Sequence, residues 1–241
     1  LKDLIVDMIA SPLFRANGSN TSLTIDEQYA LNKTGTGRLL TPEQLDRKLT
    51  ALVGGYWTHV WNEERNQLIE DFYGFYGGID SDGVTDRNTE INALMATVIE
   101  RMSNEMTCNL VIDEFETPAA QRTLFGDVSS ADTPETEAGV TAIREAITHL
   151  IEQLWGPDSA TEDEIEAAYN LFVSLRNERL ENNATTVLAT SNNSANNDDD
   201  DEFCSLDWGV PGAIVEDSNQ VLRPWMGVMV YLLSDYKMLY L

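Results

Sequence analysis

Along most of this chain apolar residues recur at intervals of three and four, the period of a helix with one buried face. Leu4, Ile5, Met8 and Ile9 open the pattern, and the Ser11-Pro12 step ends it, because the residue before a proline is pushed out of the helical region. Residues 16–37 are polar and glycine-containing and read as a long surface loop. The run Leu39-Leu40-Thr41-Pro42-Glu43-Gln44-Leu45 then carries three start signals together. Thr41 is a natural N-cap, Pro42 suits the first helical position and Gln44 completes a capping box. That helix places Leu45, Leu49, Leu52 and Val53 on one face and stops at Gly54-Gly55.

The spacing of Trp57, Val60, Trp61, Leu68, Phe72 and Phe75 predicts a second helix over roughly 57–74, and Ile91, Leu94, Met95, Val98, Ile99 and Met102 predict another over 89–107. Residues 108–117 extend that helix or form a short strand; periodicity does not separate the two. Thr117-Pro118 begins a short helical turn leading to Arg122, Leu124 and Phe125, and the acidic stretch 127–137 is a surface connection. Val140, Ile143, Ile147, Leu150, Ile151 and Leu154 mark a helix over 138–155 that ends at Gly156-Pro157. Thr161-Glu162-Asp163-Glu164 is a second capping box, leading a helix through Ile165, Ala168, Tyr169, Phe172 and Leu175. A last helix starts at Arg223-Pro224 and carries Trp225, Val228, Met229, Leu232, Leu233 and Tyr236.

Seven or eight helices without a convincing hairpin predict an all-α protein, a single globular multi-helix domain with long polar loops. Residues 1–181 form the expected helical core. Residues 182–202, rich in Asn and Asp, read as an acidic mobile loop. Residues 203–241 supply a C-terminal segment whose helix packs back on that core.

Charge narrows the class of partner. Forty-one acidic residues against 15 basic ones give a formal net charge of -26, and the lysines are only Lys2, Lys33, Lys48 and Lys237. Such a surface repels phosphate backbones and anionic headgroups, so nucleic acid is not an expected partner. No apolar run reaches the roughly 18 residues needed to cross a bilayer, which argues against membrane insertion. The chain opens without Met, already in helical rhythm, and reads as a mature or trimmed polypeptide. Cys108 and Cys204 could close a disulfide in an oxidising compartment, the alternative being two buried thiols. Asn-x-Ser/Thr sequons at Asn17, Asn20, Asn32, Asn183 and Asn192 are compatible with export.

The densest candidate chemistry lies in Tyr76-Gly77-Gly78-Ile79-Asp80-Ser81-Asp82-Gly83-Val84-Thr85-Asp86-Arg87. Asp80, Asp82 and Asp86 have the spacing of calcium-loop positions 3, 5 and 9. Position 1 would then be Gly78 and position 12 Thr89, which excludes a standard EF-hand and leaves a looser calcium site. The simpler reading is a loop capped by its own aspartates, with Arg87 pairing with Asp80 or Asp82. His59 sits in the Trp57–Trp61 cluster, and His149 precedes Glu152 by one turn; both read as structural or exposed rather than as metal or haem ligands. Nucleophile-elbow, zincin, P-loop and dinucleotide fingerprints are all missing, as is Cys-x-x-Cys-His, so the chain attaches no haem of its own.

Four phrases together carry a family resemblance. They are Ser11-Pro12-Leu13-Phe14-Arg15-Ala16, Gly37-Arg38-Leu39-Leu40-Thr41-Pro42-Glu43-Gln44-Leu45, the Tyr76–Arg87 loop, and Arg223-Pro224-Trp225-Met226 leading to Leu232-Leu233-Ser234-Asp235-Tyr236. The chain resembles large bacterial extracytoplasmic proteins related to those whose domains of unknown function accompany cytochrome c-like haem domains. The resemblance implies an extracytoplasmic helical protein that meets haem only through a partner, a c-type cytochrome, or associates with itself. It brings no catalytic residues. The leading expectation is a non-catalytic interaction or scaffold domain, part of a larger assembly. A metal- or carboxylate-dependent enzyme of unrecognised type and a calcium-stabilised surface or adhesion module are the alternatives.

Overall fold

The computed structural model describes residues 38–59, 62–80, 83, 85–184 and 217–240. The chain divides into two compact units, 1–39 with 240–241, and 40–239. In the first, Leu39 and Tyr240 form an antiparallel bridge. The second holds every helix described below. The helix expected over the first ten residues lies outside the described part.

Helix α1, Pro42–Val53, begins where its capping signals place it. Thr41 Oγ1 accepts from the Gln44 amide at 3.3 Å, and the Gln44 side chain accepts from the Thr41 amide at 3.0 Å, so two orphan donors are satisfied reciprocally. Leu45 and Leu49 are fully buried on its inner face. Lys48, on the same helix, donates to the Met238 carbonyl at 2.9 Å, and burial lowers its pKa.

The helix expected over 57–74 is absent. In its place stand strand β1, Thr58–His59, strand β2, Asn62–Asn66, and a single helical turn, α2, Gln67–Glu70. The strands pair antiparallel, Thr58 opposite Asn66 and His59 opposite Asn62, with an irregularity between the two pairs. Trp57 and Thr58 belong to the aromatic and β-branched types that suit an extended backbone. Asn66 then makes a new start, its side chain accepting from the Ile69 amide at 3.3 Å. The apolar spacing that imitated a helix instead brings Trp57 and Phe72 into a stack with ring centroids 4.9 Å apart.

Helix α3, Ala93–Glu116, resolves the open reading of 108–117 in favour of helix. Its buried positions run unbroken from Met95 through Ile99 and Met102 to Val111, Ile112 and Phe115, so one stripe serves 24 residues. Asn92 caps its start, accepting from the Met95 amide at 2.9 Å, and the Thr117-Pro118 step ends it. Leu94, expected on the stripe, is 58% exposed. A 3₁₀ turn, Ala119–Gln121, follows.

Helices α4, Glu137–Trp155, and α5, Glu162–Glu181, pack against each other. Thr161 caps α5, but Glu164 does not complete the box. Its carboxylate accepts instead from Lys237 and from the Tyr231 hydroxyl, 3.3 Å away. Helix α6, Leu222–Ser234, lies against both α3 and α5, and a 3₁₀ turn, Tyr236–Leu239, follows it. Trp225 is fully buried at their junction, 5.2 Å from the Phe125 ring and 4.8 Å from that of Phe172. Burying a large apolar side chain of this kind stabilises a fold by about 1.5–3 kcal/mol. Six α-helices stand among the described residues, slightly fewer than expected, and the protein is all-α with one two-stranded ribbon.

Candidate functional site

The glycine-aspartate loop is anchored at its first residues. Amides of Tyr76, Gly77 and Gly78 donate to the carbonyls of Phe72, Gly74 and Tyr73, at 2.9, 3.0 and 2.8 Å. This tight coil buries Tyr76 to 1% exposure. Gly77 has φ 94°, and a Cβ on it would lie 2.4 Å from Asn88 Nδ2. A Cβ on Gly78 would lie 2.4 Å from the Tyr73 ring. Both positions need glycine, one for its left-handed backbone and one for the approach of an aromatic face.

Tyr73 fixes this coil to α1. Its hydroxyl donates to Glu43 Oε1 across 2.6 Å. That hydrogen bond, with a second from Thr41, holds the Glu43 carboxyl below its ordinary range; the nearby Arg87 charge acts the same way. The same bond raises the Tyr73 phenol. Arg87 therefore bears on the Glu43–Tyr73 pair.

The candidate calcium ligands are placed unequally. Asp80 Oδ1 accepts from the Gly83 amide at 2.8 Å, closing the loop on itself, and Asp80 and Asp86 are exposed. Asp82 lies outside the described residues. Among the described residues no group of three His, Cys, Asp or Glu side chains is arranged to hold a metal ion. His149 Nε2 lies 3.1 Å from the Thr123 carbonyl, and because a carbonyl only accepts, that nitrogen carries the hydrogen. His59 falls in β1. Cys108 is buried on α3, at 5% exposure, and among the described residues no cysteine is a free thiol; Cys204 lies outside the described residues.

Buried and half-buried polar side chains that periodicity passes over secure the surroundings. Glu105 of α3 accepts from Trp57 Nε1 at 2.8 Å, Gln67 Nε2 at 3.1 Å and Arg101 Nε at 2.6 Å, so one carboxylate pins the ribbon to α3. Glu114 receives the amides of Thr123, Leu124 and Phe125, and Arg122 donates back to the carbonyls of Phe115, Thr117 and Val128. Asp217, 2% exposed, accepts from the amides of Val221, Leu222 and Arg223, doing for α6 what an N-cap side chain does elsewhere. No local pattern marks these residues, because their partners are distant in sequence or lie at a helix start without a Ser/Thr signal.

The anchored coil also leaves two large apolar side chains outside. Phe75 is 55% and Ile79 40% exposed, on either side of buried Tyr76 and Gly78. Side chains held out by a fixed backbone present a contact surface that needs little ordering on binding. Comparison of the chain with protein-family models, with curated proteins and with solved structures yields no match.

Proposed function

We propose that this chain is a non-catalytic helical interaction domain, working as part of a larger extracytoplasmic assembly. The observation that supports it is the outward placement of Phe75 and Ile79 on a coil whose neighbouring residues are fixed by Tyr76, Gly78 and the Tyr73–Glu43 bond. Its partner is a protein, either a second copy or a c-type cytochrome, that meets this apolar pair within an acidic surround. For a cytochrome partner, a basic rim suits the net charge of -26. Haem, on this reading, reaches the assembly only through that partner. The Cys108–Cys204 pairing belongs to the same reading: burial of Cys108 supports it, and it requires an oxidising compartment.

Absorbance of the natively purified complex tests the cytochrome link. A Soret band in stoichiometric proportion to this chain supports it, and a stable complex without one removes it, leaving self-association or a haem-free partner.

A further inference from the structure

Two lysines fall among the described residues, Lys48 and Lys237, and the fold treats them in opposite ways. Lys237 pairs with Glu164, and its ammonium stands 4.2 Å from the centre of the Trp155 ring. Burial works against its charge, but the Glu164 carboxylate outweighs that cost and its pKa stands above the ordinary lysine value.

Lys48 has no such partner. It follows Leu45 by three residues and precedes Leu52 by four, so it shares one face of α1 with them. Its amine donates to the Met238 carbonyl, a neutral acceptor, at 2.9 Å, and among the described residues no carboxylate pairs with it. The charges nearest to it in sequence are engaged elsewhere. Glu43 takes the Tyr73 hydroxyl, Asp46 takes Asn66 Nδ2 at 2.7 Å, and Arg47 donates to the Glu43 carbonyl at 3.1 Å. On the facing turn, Asp235 accepts from the Lys237 amide at 2.8 Å, and the Lys237 ammonium is held by Glu164.

In a chain with 41 acidic residues, an amine left to a single peptide carbonyl is out of pattern. Burial without a counter-charge favours the neutral amine, the form that acts as a nucleophile. The Met238 carbonyl occupies one N–H and leaves the lone pair free. Lys48 is half-buried rather than enclosed, which suits aldehydes of few carbons.

We propose that Lys48 is a covalent attachment site for small aldehydes. The amine nitrogen attacks the carbonyl carbon and a C–N bond forms. The carbonyl oxygen then leaves as water with the two amine hydrogens, and a C=N bond remains. Once protonated, this imine donates to the Met238 carbonyl as the amine did.

Trace labelling of the full chain with acetaldehyde and cyanoborohydride near neutral pH, followed by peptide mass mapping, tests this. Cyanoborohydride reduces the imine to a secondary amine and so fixes the label. Lys48 should label at least about threefold faster in the folded chain than in the same chain unfolded in guanidinium chloride. Lys237 is the internal control and should label more slowly folded than unfolded. A smaller gain at Lys48 marks a merely shielded side chain and overturns the assignment, as does an equal gain at Lys237.

Discussion

Tyr73 donates its hydroxyl to Glu43 across 2.6 Å, and this bond joins the coil that opens the glycine-aspartate loop to the first turn of α1. It favours an ionised Glu43 and a neutral Tyr73 in the folded state, so its effect depends on pH. Glu43 titrates below its ordinary value of 4.5 in the fold; its stabilisation is present above that value and is lost as pH falls through the depressed one. Tyr73 titrates above 10.0, so its contribution is present below that value and fades as pH rises through the elevated one. Tyr73→Phe should therefore flatten the decline of the thermal midpoint at both extremes relative to the parent. A pH series of melting curves checks this; parallel profiles for the two proteins would count against it.

Asp217 is the second test of a bond pattern. Its carboxylate takes three amides at the start of α6, a helix whose own N-cap position, Val221, has no side chain able to do so. Asp217→Ala should lower unfolding free energy by about 2–3 kcal/mol, since buried donors lose a charged acceptor. Asp217→Asn keeps one acceptor oxygen and should cost less. Denaturant titration orders the three proteins.

Gly139 reverses the usual helix preference. It sits in the first turn of α4, where a Cβ would lie 2.1 Å from the backbone oxygen of Thr133. Alanine is the better helix former, yet Gly139→Ala should destabilise by about 1–3 kcal/mol because the obstacle is backbone and cannot swing away. Gly83→Ala, whose Cβ would meet, among the described residues, only Asp80 Oδ2 at 3.7 Å, is the neutral control for melting measurements.

Helix boundaries were legible where a single residue does the work locally. Thr41 with Pro42, and Thr161, act within one turn of themselves, and the structure places the starts of α1 and α5 at those points. The 57–74 segment was not legible, because strands of two and five residues are too short to show alternation while Trp57, Leu68 and Phe72 happen to fit a helical period. What decides the matter is Glu105, some forty residues away, which collects Trp57 and Gln67. The candidate site divides the same way. The glycine-aspartate loop stood out in the sequence, whereas the need for glycine at 77 and 78 and the bracing of that coil by Glu43 depend on contacts made only in the fold, the latter between residues thirty positions apart.

The proposed Cys108–Cys204 bridge has a direct consequence. Closing a loop of this length restricts the unfolded chain, so Cys108→Ser should cost about 2–5 kcal/mol. Reductant should lower the melting temperature of the parent and leave that of the variant unchanged. Equal melting of the parent with and without reductant would remove the bridge.

The interaction reading rests on Phe75 and Ile79, and sedimentation of the natively purified protein beside a Phe75→Ser, Ile79→Ser double variant tests it most directly. Phe75 is 55% and Ile79 40% exposed, so the variant should stay close to the parent's thermal midpoint. The account predicts that the parent sediments as a stoichiometric complex, with itself or with a second protein, and that the variant sediments as the isolated chain. A parent that runs alone, or a variant that keeps its partner, would contradict it.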